Sequence, residues 1–339
     1  MEINESQPKS RALGATGLTG SRLGLGLAAL GRPGYINLGH AGDLHHDYEL
    51  VAMEARAHAV FDAAWAGGVR YFDAARSYGE AERFLSTWLA VRPIAPEAAV
   101  VASKWGYTYT ADWRVQAEKH EVKDHSLPVL LRQSAESRAQ LGVHLDLYQI
   151  HSATLESGVL ENREVLAELV RMRTTTGVKI GLTLTGPRQA ETLQRAMAAT
   201  VDGERLFDCV QATWNLLEPS AGPALHTAHD AGMGVIVKEA LANGRLTARN
   251  QDAAFAEKRG LLEEEAARLH TTLDALALAA ALAQPWADVV LSGAATVDQL
   301  QSNLAALAVP WDEEAQRRVD TLHENPADYW TIRGWLAWN

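Results

Sequence analysis

The stretch VRYFDAARSYGEAERFL, residues 69–85, reads as one strand followed by one helix. Its apolar run stops at Phe72, and the carboxylate of Asp73 follows directly. Tyr78 comes shortly after and stands before a segment with a helical pattern. Polar groups at the end of a buried strand are typical of sites built at the carboxyl edge of a parallel sheet. The stretch therefore predicts a strand–helix unit that carries an acid and a phenol.

The same unit recurs along the chain. Several of its β-prone runs are nearly continuous apolar segments, as expected for parallel strands buried on both faces. Helical patterns with recognisable ends separate them: 49–68 ends on glycines, 187–197 opens on a proline, and 296–307 starts with a threonine cap. The eight β-prone runs are 22–30, 69–74, 99–104, 145–151, 178–184, 208–214, 234–240 and 287–293.

Eight strand–helix repeats predict an α/β fold, a closed (β/α)8 TIM barrel. An open doubly wound sheet is the alternative, which the count of eight and the lack of a composition break disfavour. We expect one domain over 1–339, with an N-terminal hairpin in 11–20 and a C-terminal helix and tail in 308–339. The long connections 31–48 and 105–127 are expected to rim the C-terminal mouth of the barrel.

Composition excludes several classes of function. The net charge of −11 argues against a general nucleic-acid surface, which draws on clustered Lys and Arg. Cys209 is the only cysteine, so no intrachain disulfide can form and a reducing compartment fits. The N-terminal residues carry no apolar core of a signal peptide, and the most apolar helix is too short to span a membrane. We expect a cytoplasmic protein without membrane, nucleic-acid or metal partners, the histidines of DLHHDYE (43–49) being solvated.

Chemistry in a barrel belongs at the C-terminal strand ends. Asp73 follows the second strand, Lys104 ends the third and His151 ends the fourth, with Tyr78 nearby. Each residue alone has an ordinary interpretation: a helix cap, a solvated charge, a satisfied polar group or a packed ring. Four such residues at three consecutive strand ends favour a shared site over four independent ordinary roles.

These four side chains suit one kind of chemistry. A free phenol has a pKa of ~10, too high for an efficient acid near neutrality. A lysine ammonium beside it stabilises the phenolate and is expected to lower that pKa, while an aspartate keeps the lysine charged and in place. An imidazole can orient a carbonyl oxygen by a hydrogen bond. Together they would polarise and protonate a C=O group, and a hydride cofactor must supply the two electrons.

Six segments in this order resemble an aldo-keto reductase: RALGATGLTGSRLGLG, YFDAARSYG, VVASKWG, LDLYQIH, VQATWNLL and SGAATVDQLQSN. The resemblance covers about 11–307. It implies an NADP-dependent oxidoreductase that reduces an aldehyde or ketone, or oxidises the corresponding alcohol or sugar. By resemblance, Tyr78 is the general acid, Lys104 its pKa-lowering partner, Asp73 the anchor of Lys104, and His151 the orienter of the carbonyl. We call these four residues the predicted tetrad.

The family binds NADPH in extended form across the barrel mouth, without a Rossmann domain. GLGLAA at 24–29 fits a dinucleotide glycine pattern, but turn residues rather than a helix follow it, so it is predicted to be the first barrel strand. The resemblance implies carboxamide contacts, ring stacking by a tryptophan where relatives usually carry tyrosine, pyrophosphate contacts and an adenosine site. The matching positions are, in that order, Thr183 and Gln211; Trp214; the backbone around Glu239 and Leu241; and Gly293, Thr296, Gln299 and Asn303.

Two departures from the family pattern concern the cofactor. Thr183-Leu184 replaces the usual Ser-Asn, which removes one amide that would grip the carboxamide. Gln299 occupies the usual arginine position, and 291–303 contains no Arg or Lys for charge-assisted pairing with a 2′-phosphate. NADP is therefore the expectation from the family, and NAD stays open.

Aromatic residues in loops and the tail are expected to border the substrate pocket. They suit aryl aldehydes, cyclic ketones or sugars alike. The tail DYWTIRGWLAWN, residues 328–339, is expected either to fold over the mouth or to pack against the outer barrel. The five candidate pocket residues are Tyr35, Trp105, Tyr107, Trp113 and Trp330.

Two other functions compete with the reductase. A nucleotide-binding sensor or regulatory subunit on the same fold needs little turnover, but such a binder has no need of an acid at Tyr78. A barrel lyase using Lys104 as a Schiff base is disfavoured, because Asp73 would keep that lysine protonated. The intact predicted tetrad favours the enzyme.

Overall fold

The computed structural model describes residues 10–339; residues 1–9, part of the predicted single domain and of the segment without a signal-peptide core, lie outside the described residues. Eight parallel strands close a barrel, as predicted, and no open doubly wound sheet forms within 10–339. The barrel strands are β1 (Leu23–Gly26), β2 (Tyr71–Asp73), β3 (Val100–Trp105), β4 (Leu145–Ala153), β5 (Lys179–Leu184), β6 (Cys209–Thr213), β7 (Gly234–Lys238) and β8 (Val289–Ser292).

Helices surround the barrel and fill the connections. The α-helices are α1 (His40–Asp43), α2 (Leu50–Ala66), α3 (Ala81–Ala90), α4 (Leu127–Leu141), α5 (Arg163–Thr176), α6 (Gln189–Met197), α7 (Gly222–Asp230), α8 (Ala256–Arg268), α9 (Leu273–Leu282), α10 (Val297–Leu304), α11 (Glu313–Val319) and α12 (Pro326–Gly334). Short 3-10 turns occupy Pro96–Ala98, Gly142–His144, Leu155–Ser157, Val159–Glu161, Ala242–Gly244, Ala253–Phe255, Ala305–Ala308 and Asp320–Leu322. No helix within 10–339 has the length and apolar character needed to cross a membrane.

The helix layer packs through apolar stripes. The buried side chains of α2 recur at helical spacing along one face, and Phe61 on that face lies edge-on to Phe72 of β2, with 6.2 Å between ring centres. Trp88 of α3 meets the same two rings, and its indole N–H donates to Asp62 at 2.9 Å. Gly67 ends α2, as the sequence predicted. This packing fixes the position of the second strand and therefore of the carboxylate that follows it.

A hairpin closes the N-terminal end of the barrel. Strands Ser10–Ala12 and Thr19–Ser21 pair antiparallel, and their turn carries Leu13 into the barrel core, where it is fully buried. The backbone N–H of Ala15 donates to the carbonyl of Gly232 at 2.9 Å. Cys209 lies in the same core, fully buried, and burial raises the pKa of its thiol well above the ordinary value. The prediction of a packed thiol is confirmed. The candidate reactive residues lie at the opposite, C-terminal end of the barrel.

Loops and the tail build the C-terminal mouth. The connection 105–127 contains an unpredicted hairpin, Tyr107–Tyr109 paired with Glu121–Lys123. The tail reaches the first loop, where the backbone N–H groups of Tyr35 and Asn339 each donate to the other's carbonyl, at 3.1 and 3.2 Å. Trp338 stacks on His120 with 3.9 Å between ring centres. The sequence left two positions for the tail, over the mouth of the barrel or against its outer surface. In the structure the tail lies over the mouth. A further short pair joins Thr200–Val201 to Glu204–Arg205.

Candidate functional site

The predicted tetrad comes together at the C-terminal mouth. Asp73 ends β2, Lys104 lies in β3 and His151 in β4, so parallel pairing brings their side chains to one edge. The ammonium nitrogen of Lys104 binds the Asp73 carboxylate and donates to the carbonyl of Ala74 at 2.9 Å. The same nitrogen lies 3.4 Å from the phenol oxygen of Tyr78. One cation therefore contacts both the acid and the phenol.

The ion pair is buried, and its carboxylate has further donors. Asp73 and Lys104 are each 1% exposed. The side-chain amides of Gln149 and Gln211 both donate to Oδ1 of Asp73, at 3.3 and 3.1 Å. A buried ion pair is stable only when such extra hydrogen bonds satisfy its remaining atoms. Gln211, which resemblance assigns to the cofactor, thus holds the anchor of Lys104 with its amide nitrogen and also lines the cavity described below.

His151 faces the phenol edge-on. The two ring centres lie 5.5 Å apart, and the ring of Tyr107 lies 5.0 Å from the imidazole on another side. Burial and then the positive charges of Lys104 and Arg32 lower the pKa of His151 well below its usual value. The imidazole is therefore neutral near pH 7, and one ring nitrogen can donate a hydrogen bond without adding charge.

The pKa of the phenol lies above its ordinary value. Burial, followed by the charge of Asp73, raises the pKa of Tyr78 well above 10, and Arg32 opposes the rise only in part. Burial also lowers the pKa of Lys104, against the pull of Asp73. Burial is the largest cause of this rise, and the lowering of the Tyr78 pKa by Lys104 stays a prediction. The phenol accordingly keeps its proton at neutral pH.

An open cavity of about 250 Å³ extends from the predicted tetrad along the strand ends. Tyr78, His151 and Asp73 stand at one part of its wall. Four residues that resemblance assigns to the cofactor line it as well: Gln211, Glu239, Leu241 and Gly293. The residues that line the cavity come from the C-terminal ends of six strands: β1, β2, β4, β6, β7 and β8.

The cavity wall at the end of β7 is charged. Arg333, on α12, donates to Glu239 with a shortest distance of 2.5 Å, and Lys238 lies 3.8 Å from the same carboxylate. Burial opposes the charged form of Glu239, but Arg333 and Lys238 outweigh it and lower the pKa of the carboxyl to about 2. Burial lowers the pKa of Lys238 to about 8. Two cations face one anion near pH 7, so this wall is positive on balance.

Three residues of the predicted adenosine site start or support α10 instead of lining the cavity. The hydroxyl of Thr296 accepts from the N–H of Gln299 at 3.2 Å, and the side chain of Gln299 accepts from the N–H of Ala295 at 2.8 Å. Asn303 is buried and hydrogen-bonds the hydroxyl of Ser292 at 2.8 Å. In the structure these side chains are engaged in an ordinary capped helix, and a cofactor role for them stays a prediction.

Two other predicted contacts lie away from the cavity. Thr183 is 1% exposed, and its hydroxyl accepts from the N–H of Ser152 at 2.7 Å. Trp214 is 5% exposed and packs edge-on against Trp286, with 5.8 Å between ring centres, beside Gly222. In the structure Trp214 is a core aromatic that is not among the residues lining the cavity, and its stacking on a nicotinamide ring stays a prediction.

The five aromatic pocket candidates divide in the same way. Tyr35 lines the cavity and Tyr107 contacts His151. Trp105 is fully buried, and Trp113 donates its indole N–H to the carbonyl of Tyr48 at 2.7 Å. Trp330 packs against the hydrophobic core, and its ring centre lies 5.9 Å from Nζ of Lys238. These last three are not among the residues that line the cavity, and a role for them in binding substrate stays a prediction.

Sequence reasoning missed several residues of the cavity wall. Arg32 lies between Gly31 and Pro33 soon after β1, where charged residues are common and carry no signal of burial. Glu121 belongs to the unpredicted hairpin. Long-range folding of the tail brings in the others, which no local pattern reveals. The missed residues are Arg32, Glu121, Arg333 and Trp338.

Comparisons with known proteins agree with this architecture. The model of the aldo/keto reductase family matches residues 22–324. Pyridoxal 4-dehydrogenase of Microbacterium luteolum is 30% identical over 164 residues, 42% of this chain and 43% of that protein, so the match spans less than half of that relative. The uncharacterized oxidoreductase YrpG of Bacillus subtilis (strain 168) is 25% identical over 93% of this chain and 95% of its own.

A solved structure supports the fold. The holo form of aldo-keto reductase AKR11C1 from Bacillus halodurans superposes with a TM-score of 0.71, covering 94% of this chain and 97% of that one at 21% identity. At that identity the likeness concerns the barrel alone. The family match extends over nearly all of the described residues and includes every strand of the barrel. The chain belongs to the aldo/keto reductase family.

Proposed function

We propose that this protein is an NADP-dependent oxidoreductase that reduces an aldehyde or ketone, or oxidises the corresponding alcohol or sugar. The observation that carries the proposal is the position of the Lys104 ammonium, which binds Asp73 and lies 3.4 Å from the phenol of Tyr78. This arrangement stands at the wall of an open cavity rather than in a closed core. A protein that only bound a nucleotide would need no buried cation beside a phenol.

The residues present are compatible with a dinucleotide. Gln211, Gly293 and the backbone around Glu239 and Leu241 would hold it, and a Cβ built on Gly293 would meet nothing within 4 Å, so space remains beside that backbone. The positive balance of Lys238 and Arg333 against Glu239 suits a diphosphate. When bound, NADPH supplies the hydride. The choice of NADP over NAD rests on the family, because 291–303 contains no cation.

The chain's own residues would handle the proton. In reduction, hydride adds to the carbonyl carbon while the O–H bond of Tyr78 breaks and its proton joins the carbonyl oxygen, which gives the alcohol. Neutral His151 would donate a hydrogen bond to the same oxygen and orient it. Lys104 would stabilise the phenolate left behind, and Asp73 would hold Lys104 in place. The reverse sequence oxidises the alcohol.

The test is cofactor turnover by the purified protein with aldehydes, ketones and sugars, in both directions and with NADPH and NADH. Tyr78→Phe is run beside wild type, and cofactor fluorescence measures binding by each. We expect turnover by wild type and a loss of about 10²–10⁴-fold in the variant, with cofactor affinity retained. Binding without turnover by either protein would instead support a sensor or regulatory subunit.

A further inference from the structure

The cavity wall beside Tyr78 holds a buried guanidinium. Arg32 is 3% exposed, and its carbon Cζ lies 5.2 Å from the ring centre of Tyr78. Its NH1 group donates to the carbonyl of Ser77 and to a carboxylate oxygen of Glu121, each at 2.9 Å. Its Nε atom is buried and has no hydrogen-bond partner in the part of the chain that the structure describes. Within residues 10–339 the guanidinium thus has more donors than acceptors, and because Nε is sealed off, the NH2 group is the donor left for the cavity.

The charge of Arg32 is already matched. Glu121 forms an ion pair with it, and both residues line the cavity. A substrate anion would have to compete with a carboxylate that is built into the wall. The pair presents instead a donor and an acceptor side by side, with no net charge. A hydroxyl group both accepts and donates a hydrogen bond, so neighbouring hydroxyl groups match such a pair.

The rest of this wall suits the body of a ring compound. Tyr35 and Trp338 flank the guanidinium, with ring centres 5.3 and 4.8 Å from Cζ of Arg32, and both line the cavity. Aromatic faces pack against C–H groups, while polar groups at their edge hold substituents. A plain aryl aldehyde would fill the apolar part of the cavity. It would also cover the remaining hydrogen-bond donors and acceptors of Arg32 and Glu121 without bonding to them, which is costly for buried polar groups.

We infer that Arg32 and Glu121 bind two neighbouring hydroxyl groups next to the reacting carbon, so that the substrate is a neutral polyhydroxylated ring compound of the sugar class. This inference rests on the proposed oxidoreductase activity and narrows its substrate. Arg32 and Glu121 are specificity-determining residues: they select the substrate by its hydroxyl groups, and Tyr78 remains the proton donor.

The experiment compares matched substrates. D-galactose and D-glucose are set against 2-deoxy-D-galactose and 2-deoxy-D-glucose, together with L-sugars, benzaldehyde and 4-carboxybenzaldehyde. Calorimetric titration measures binding of the same compounds to the protein with its oxidised cofactor present. Ring sugars are assayed as oxidation with the oxidised cofactor, and aldehydes as reduction with the reduced cofactor. We expect at least one sugar to exceed benzaldehyde in kcat/KM, and removal of a neighbouring hydroxyl to reduce kcat/KM for the sugar by about 10–100-fold.

Variants separate recognition from folding. Glu121→Gln and Arg32→Met should raise KM for the sugar more than they lower kcat, and should bring the preference for sugar over its deoxy analogue close to one. Glu54→Gln is the matched control, because Glu54 also pairs with an arginine, Arg83, on the outer helices. It should leave the preference unchanged. Thermal unfolding of each variant shows whether it is folded.

Each contrary result has a distinct meaning. Wild type that reduces benzaldehyde well and neither binds nor turns over any sugar would overturn the inference and leave the oxidoreductase proposal intact. So would a preference for 4-carboxybenzaldehyde that Arg32→Met abolishes, because the pair would then open to an anion. Sugar binding that distinguishes the deoxy analogues, without turnover of any compound, would uphold recognition by Arg32 and Glu121 and refute the proposed activity.

Discussion

The side-chain nitrogen of Lys104 lies 3.4 Å from the phenol oxygen of Tyr78. That nitrogen is also bound to Asp73, and burial raises the pKa of the phenol above its ordinary value. In the proposed reduction Tyr78 would start as a protonated donor, and Lys104 would act when negative charge develops on the oxygen. The arrangement favours stabilisation of the reacting state over a preformed phenolate.

Lys104→Met tests this division of labour. We expect kcat to fall by about 10²–10⁴-fold, because the phenolate formed in reduction loses its cation. In the double variant with Tyr78→Phe, the second substitution should cost little more, since both act on one proton transfer. Steady-state kinetics of the two single variants and the double variant measures the coupling. Multiplicative losses would show that the two residues act independently.

The same substitution carries a stability consequence. Removing Lys104 leaves the buried carboxylate of Asp73 with Gln149 and Gln211 as donors but without its cation. Breaking a buried pair in this way costs about 3–5 kcal/mol. Urea unfolding of Lys104→Met and Tyr78→Phe should show a large loss for the first and a small one for the second. Kinetic comparison is made only under conditions where both variants are folded.

The floor of the barrel offers a cleaner test of packing. Gly14 and Gly17 both have positive φ, +52° and +81°. A Cβ on Gly14 would lie 2.3 Å from the backbone nitrogen of Gly234, whereas one on Gly17 meets nothing within 4 Å. Gly17→Ala should cost about 1 kcal/mol for its backbone conformation. Gly14→Ala should cost several times more, because rigid backbone cannot move away. If Gly14→Ala and Gly17→Ala lower the free energy of unfolding in urea equally, the turn does not pack against the barrel at Gly14.

The eight strands were predictable because buried parallel strands are continuous apolar runs, and the tetrad because it stands at their ends. The wall of the cavity was less predictable for physical reasons. Arg32 and Glu121 meet across loops 89 residues apart in sequence, and Arg333 arrives from the last helix. Trp214 has the expected strand-end position, but packing against Trp286 turns it into the core. Strand ends are local signals; loop contacts and the rotamers of packed rings are not.

Asp146 should destabilise the folded protein at neutral pH. Burial raises the pKa of its carboxyl to about 6, above the unfolded value of about 3.9. The penalty is therefore absent below about pH 4 and complete above about pH 6. Asp146→Asn keeps an oxygen that can accept from the N–H of Val101, which donates to Asp146 at 2.9 Å. We expect it to add about 1–2 kcal/mol at pH 7 and nothing at pH 4.

Urea unfolding at the two pH values checks this expectation. Asp146→Ala is the control, because it removes the charge and also the acceptor for the N–H of Val101. It should stabilise less than Asp146→Asn at pH 7 and should destabilise at pH 4. An equal gain in stability from Asp146→Asn at both pH values would show that the ionised carboxylate is not what destabilises the folded protein.

Glu239 should show the opposite dependence on pH. Its folded pKa of about 2 lies below the unfolded value of about 4.3, so its ionisation stabilises the folded state above about pH 4.3. That contribution is lost as pH falls toward 2. Glu239→Gln leaves Arg333 and Lys238 without their carboxylate, and we expect a loss of about 3 kcal/mol at pH 6. The difference from wild type should shrink at pH 3.

The control for Glu239→Gln is an exposed pair. Glu263 lies 3.7 Å from Arg259, and its side chain is 59% exposed, so Glu263→Gln should change stability by less than about 1 kcal/mol. A difference between wild type and Glu239→Gln that is the same at pH 6 and pH 3 would mean that the amide fails for steric reasons. A difference that shrinks would show that charge at the end of β7 holds α12, and with it the tail, across the mouth of the barrel.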